Sequence, residues 1–199
     1  ANTTKKIEWG DPYQEDGSAN IVTSIVANYR SYDTLGEILI LFAAAAGVGL
    51  LIGQRKRKGY TPSSDIAKAA IPLISFFAIV IGTVIIIHGH ITPGGGFPGG
   101  ALVASGLLFM ALIYQKFVRK KVLLILETLA GIGILILALI GLFKQGSFLA
   151  NFMETGKIGG LFSSGTVLIF YILIGIKVAS ELTAIGVNFI QGKAKEGQK

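Results

Sequence analysis

Apolar residues along this chain fall into long, nearly unbroken blocks separated by short polar or glycine-rich junctions. Five blocks stand out: Leu35–Ile52, Ile66–Ile87, Gly99–Gln115, Val122–Phe143 and Gly165–Ile190. A helix needs about 20 residues to cross ~30 Å of hydrocarbon. Four blocks reach that length, whereas the third, counted from Gly99, rises only about 25 Å. The pattern predicts an all-α integral membrane protein of about five transmembrane helices, with a Gly/Pro-rich break between the second and third. Two shorter segments carry helical periodicity. Ile21, Val22, Ile25, Val26 and Tyr29 share one helical face, and Phe148, Leu149, Phe152 and Met153 repeat the spacing on a smaller scale. Each is expected to form a surface helix, lying either in the membrane interface or against a neighbouring subunit.

Composition agrees with a membrane setting. Of 199 residues, 52% are hydrophobic and 15% charged, against about a quarter charged in an ordinary soluble domain. The absence of cysteine excludes disulfides, thiolate metal sites and iron–sulfur ligation by this chain. A net charge of +7 raises nucleic acid as a partner, but the basic residues cluster beside the apolar blocks, where they act as orientation signals and contacts to anionic lipid. No nucleic-acid role is expected. The polar residues 1–20 lack an apolar core and do not read as a signal peptide.

The basic clusters are Gln54–Lys58, Lys116–Lys121 and the tail with Lys193, Lys195 and Lys199. Five spans place all three on one side, and the positive-inside rule makes that side cytoplasmic. The N-terminus, the residues 88–98 and the residues 144–164 then face outward. The expected location is the cell membrane of a bacterium or archaeon.

The break itself, His88-Gly-His-Ile-Thr-Pro-Gly-Gly-Gly-Phe-Pro-Gly-Gly100, holds six glycines and two prolines. Proline removes an N–H donor, glycine tolerates unusual backbone angles, and a helix is not expected to run through Thr92-Pro93-Gly94-Gly95-Gly96. Non-helical backbone at membrane depth must be buried in protein or line an aqueous cavity, so the segment is expected to dip below the outer surface. Gly94, Gly96 and Gly99 match G-x-G-x-x-G, but the flanks are membrane spans and the next acid is Glu127, so no dinucleotide site is read there. His88 and His90 stand two apart, with no carboxylate or thiol nearby to complete a metal site. They read as structural caps or as hydrogen-bonding, proton-handling groups. No metal is expected.

Five ionisable residues fall within the apolar blocks: Glu37, Lys68, Glu127, Lys177 and Glu181. Charges inside a membrane are costly and often mark ion pathways. Thr34-Leu-Gly-Glu37 fits a capping box, and Arg30 and Asp33 lie near enough to pair with Glu37. Lys68 begins a span and can snorkel to water. Glu127 sits about 7–8 Å into its span by helical rise, too deep for a short side chain to reach water easily. Lys177 and Glu181 are four apart and share a helix face near the membrane centre. They form either a neutralising ion pair that stabilises packing, with or without Glu127, or a proton or cation relay whose protonation changes with its partner. The chain shows no convincing internal repeat and one broken-helix candidate, which fits an accessory role better than that of a complete transporter.

The motif at His88–Gly100, with Phe97, Gly99 and Gly100 closing it, resembles the G-H-x-T-P-G-G-G-F-x-G-G signature of the B subunit of multi-subunit Na+/H+ antiporters of the Mrp or Mnh type. The likeness extends over roughly Ile66 to Gln191. The segment Val22–Glu37 and its following span are similar to the small E-type subunit of archaeal membrane-bound hydrogenase, which matches the C-terminal end of the large antiporter subunit. The resemblance implies two units, 1–58 and 59–199. It implies an accessory subunit of a cation/proton antiporter, or of a respiratory complex containing one, that contributes to Na+/H+ translocation. The alternative is a scaffold subunit without an ion pathway. It also implicates Glu37, in its Asp33-Thr-Leu-Gly-Glu context, in cation coupling. The expected partners are other antiporter-type membrane subunits and lipid, with or without an oxidoreductase arm. Na+ and H+ are expected as transported ions; no cofactor bound by this chain and no enzyme activity of its own are expected.

Overall fold

A computed structural model describes residues 19, 21–26, 31–52, 64–114, 117–146, 148–149, 151–153, 160 and 163–190. The helices are α1 (Ile21–Ser24), α2 (Ser31–Ile52), α3 (Asp65–His88), α4 (Gly96–Ile113), α5 (Lys120–Gln145) and α6 (Thr166–Ile190). No strand occurs among the described residues, and α2 to α6 are each long and apolar enough to span a bilayer. The chain is a multi-pass, all-helical membrane protein.

The last helix is the centre of the bundle. α3 packs along α4, and α4, α5 and α2 each pack along α6, which is the most buried of the five. Its Val167, Phe170, Ile174 and Val178 form the main apolar core with Ile38 of α2 and Ile134 of α5. A second cluster toward the other end joins Val187 to Ala111, Val118 and Leu123. The peripheral faces of α3 and α5 expose Leu73, Phe76, Phe77, Leu129, Leu135 and Phe143. Such a surface is incompatible with water over this area but natural against lipid tails or neighbouring membrane helices.

Contacts at the ends fix the alternation of the helices. Lys120 Nζ at the start of α5 donates to Asn188 Oδ1 near the end of α6, at 2.7 Å, and Gly49 of α2 lies against the same Asn188. At the opposite end Tyr32 of α2 stacks on Phe148 with ring centroids 5.8 Å apart. There Asn151 Oδ1 accepts the Thr166 N–H at 3.0 Å, capping α6 from the preceding loop. Residues 117–121 therefore lie at the same end as the C-terminal ends of α2 and α6.

Several expectations change. The third span starts at Gly96, not Gly99, so Gly96, Phe97, Gly99 and Gly100 are helical. Pro98 falls in the first turn, where a helix N–H has no partner to lose. α2 starts at Ser31, not Leu35, which puts Thr34 inside the helix; its Oγ1 donates to Val26 O at 3.2 Å instead of capping toward Glu37. The helix expected from Ile21 is only four residues long before two residues of wider π turn. Its apolar Val22 and Ile25 are exposed while the polar Thr23 is buried. Phe148 and Leu149 form a turn, not a surface helix, and Leu149 adopts φ 65° and joins the core. Arg30, Tyr29, residues 54–58, Lys116 and the tail lysines Lys193, Lys195 and Lys199 lie outside the described residues.

Candidate functional site

The break between α3 and α4 is short and satisfied. The His88 carbonyl accepts both the Ile91 and Thr92 N–H groups, at 2.8 and 2.9 Å, and the Thr92 hydroxyl at 3.2 Å. His88 Nδ1 donates to Val84 O at 3.1 Å, one turn back on its own helix. His90 is fully buried, and its Nε2 donates to Gly160 O at 3.4 Å. The two histidines thus serve separate surroundings, and no group of residues suited to a metal ion occurs among the described residues. Gly89, His90 and Gly95 are buried in protein while Thr92, Pro93 and Gly94 are exposed, so the ends of the break are enclosed and its tip is not. Thr23 Oγ1 donates to Gly89 O at 2.6 Å, which docks α1 directly on the break.

The motif glycines do most of their work after the break. On one face of α4, a Cβ at Gly99 would stand 2.6 Å from the Gly82 carbonyl oxygen of α3. On the other, a Cβ at Gly96 would stand 2.5 Å from Tyr171 O, and one at Gly100 would stand 2.7 Å from Gly175 O of α6. The start of α4 is thus wedged between two backbones with no room for side chains. This is the small-residue packing by which membrane helices gain dispersion contacts in the absence of a hydrophobic driving force between them. At the turn itself Gly95 has φ 134°, a region that L-residues with side chains rarely enter.

The charged residues gather at a different level. Lys177 Nζ and Glu181 Oε1 of α6 form an ion pair at 2.5 Å, with the Glu181 side chain fully buried and that of Lys177 10% exposed. Glu127 of α5, about two turns from the start of its helix, lies beside them as a second carboxylate, in electrostatic contact with Glu181. Phe42 of α2 places its ring 5.2 Å from Lys177 Nζ, a cation–π contact. Lys177 also forms the polar wall of a crevice of about 390 Å³ between α2, α5 and α6, lined otherwise by apolar groups including Phe42, Gly131, Ile134 and Ala138. Burying an ion costs several kcal/mol even after relaxation, so this pair persists only because its partners are fixed at one helical turn. A second cavity, about 360 Å³ between α3, α4, α5 and α6, is apolar apart from the Thr83 and Ser180 hydroxyls. Both hydroxyls are engaged by carbonyls of their own helices.

Of the residues singled out from sequence, the structure brings Glu127, Lys177 and Glu181 together. Asp33 and Glu37 lie apart on exposed positions of α2. Lys68 is exposed and paired with Asp65 at 2.8 Å, a surface contact at the helix start. Phe42 carries no sequence signal, because nothing separates it from the other phenylalanines; the 12 Phe are spread through the chain. Gly82 and Gly175 were detectable in principle, as lone glycines inside apolar blocks.

The sequence profile for domains related to the MnhB subunit of Na+/H+ antiporters matches residues 66–184. The chain belongs to this MnhB-related family. That stretch contains the break, the glycine wedge and the whole Glu127–Lys177–Glu181 cluster. Within the wider set of relatives, an uncharacterized protein of Methanocaldococcus jannaschii is 30% identical, over 82% of this chain and 74% of its own length. The B subunit of a Bacillus subtilis Na+/H+ antiporter is 34% identical over 42% of this chain and 57% of its own. Among solved structures, a chain of the membrane-bound sulfane sulfur reductase, an archaeal respiratory membrane complex, superposes with TM-score 0.80 at 41% identity, over 89% of this chain and 81% of that one. A chain of the Mrp complex from a Dietzia species gives TM-score 0.72 at 22% identity over 94% of this chain and 22% of that one, and shares the fold.

Proposed function

We propose that this MnhB-related chain is an accessory membrane subunit of a multi-subunit cation/proton antiporter, or of a respiratory complex that contains one, and contributes to Na+/H+ translocation. The observation that carries this reading is the enclosed Lys177–Glu181 pair with Glu127 beside it. Such a group within membrane helices is costly, and intramembrane charges of this kind often mark ion pathways. The relatives named as antiporter subunit and respiratory complex support both kinds of parent assembly. The partners are then other antiporter-type membrane subunits and lipid; any redox chemistry would reside in partner subunits, since this chain has no cysteine. The basic junctions give an N-out, C-in orientation in the cell membrane.

The test is sodium-dependent proton movement in vesicles carrying the complete complex, with Glu127→Gln, Glu181→Gln and Lys177→Met compared with the parent. Impaired exchange with unchanged subunit composition is expected; full exchange in all three assembled variants would remove the ionic role. A scaffold reading has its own support in the glycine wedge of α3, α4 and α6, and predicts indifference to all three charge substitutions. The subunits that purify with the chain distinguish the parent assemblies: iron–sulfur proteins indicate a respiratory complex, and their absence a free-standing antiporter.

A further inference from the structure

Glu181 is the one fully buried carboxylate among the described residues. Its Oε1 accepts from Lys177 Nζ, while its Oε2, equally enclosed, has no hydrogen-bond partner. The polar group that adjoins Glu181 from the neighbouring helix is Glu127. Two ionised carboxylates offer only acceptors to one another. The contact becomes a hydrogen bond only when one of them carries a proton, as O–H···O⁻, which is among the stronger hydrogen bonds available to a protein.

Charge points the same way. With every group ionised the three side chains sum to −1, and none of the described residues packed around them supplies a further cation. α2 contributes Phe42 at this level. α4 presents Gly100 and Leu108 to α6 on either side of it, and α3 meets α6 through Ile86 against Gly175. Lys120, near the end of α6, is bound to Asn188 Oδ1. A metal cation is a poor occupant, because the Lys177 ammonium repels it and only two carboxylates face the site. A proton needs no further ligands.

We propose that Glu127 and Glu181 share one exchangeable proton, held between their carboxylates while Lys177 keeps its charge, so that the cluster is neutral when loaded and −1 when empty. Loading forms one O–H bond at a carboxylate and breaks one in hydronium; unloading reverses it. The inference rests on the proposed translocation role for its physiological meaning, and names the ion that the cluster handles as H+.

Infrared difference spectroscopy of the complete complex in lipid, titrated with acid and base in H2O and D2O, tests it. The parent should show one protonated-carboxyl C=O stretch that shifts in D2O and is lost on alkalinisation. Glu127→Gln and Glu181→Gln should each abolish the band, because Gln supplies the missing donor and the remaining carboxylate stays ionised against Lys177. Lys177→Met should retain it. If the fully buried Glu181→Gln variant does not assemble, Glu127→Gln on its half-buried position decides alone. Absence of the band from the parent, or its survival in Glu127→Gln, overturns the proposal. Transport in the same vesicles separates this from the functional reading. A band lost in the variants with exchange unchanged leaves the shared proton standing and removes the translocation role. Impaired exchange without a parental band does the reverse.

Discussion

The glycine-rich break and the charged cluster are the two unusual regions of this molecule, and they are unusual in opposite ways. The break is thirteen residues of dense, recognisable motif, yet its job is geometric. It turns the chain within a few residues and then sets the glycine faces of α4 between two backbones. The cluster is three residues scattered over two helices, with no local motif beyond a four-residue spacing. All the buried charge of the described residues lies in it. The difference teaches that a long signature can mark where backbones must touch, while chemistry can sit on side chains too sparse to make a signature.

Four substitutions, one with a control and one with a second-site change, would break or sharpen that contrast. The largest effect is expected at the wedge. Gly99→Leu would drive a branched side chain into the Gly82 carbonyl and the Ile86 amide, and neither backbone can withdraw without separating α3 from α4. Loss of the assembled complex is expected on co-purification. Gly47→Ala, where a Cβ meets nothing within 4 Å, should assemble normally and serves as the control.

Next comes the ion pair. Lys177→Met strands a buried carboxylate and should lower stability by about 3–5 kcal/mol, read as a fall in thermal unfolding temperature in detergent. Adding Glu181→Met to it should recover much of that loss, since two apolar side chains replace two buried ions. No recovery would mean that the charges themselves hold α5 against α6.

A smaller effect is expected where the N-terminal segment meets the break. Thr23→Val removes the hydroxyl that donates to Gly89 O and should cost about 0.5–1.5 kcal/mol, visible as faster proteolysis of residues before Ser31 at unchanged assembly. The smallest effect on stability belongs to Glu37→Gln, within about 0.5 kcal/mol as for an exposed position. If exchange nevertheless falls in that variant, the ion route includes α2 as well as the buried cluster.

Much of the architecture was legible in the residues, because a bilayer imposes one requirement on every span: enough apolar length with the backbone bonded internally. The five blocks therefore predicted five helices, with errors of one to four residues at their ends. Those errors share a cause. At Gly96–Gly100 local propensity argues against helix, but the proline and first glycines fall in the opening turn, where the lost N–H bonds do not exist, and tight packing on α3 and α6 stabilises the rest. At Ile21–Val26 periodicity favoured burying Val22 and Ile25, yet Thr23 is the residue that finds a partner, a backbone carbonyl 66 positions away.

The sequence by itself determined the membrane class, the span count, the place of the break, and the pairing of Lys177 with Glu181, since residues four apart on a helix lie on one face within reach of each other. Only the tertiary structure decided that α6 is the central helix, that Glu127 and Phe42 come to that pair while Glu37 does not, and that the motif glycines are contact surfaces. The physical reason is the range of the forces involved. Hydrophobic length and helical spacing act locally and can be read along the chain. Which helix faces which depends on where small residues let backbones approach and which buried charge finds its partner, and both are properties of the packed bundle.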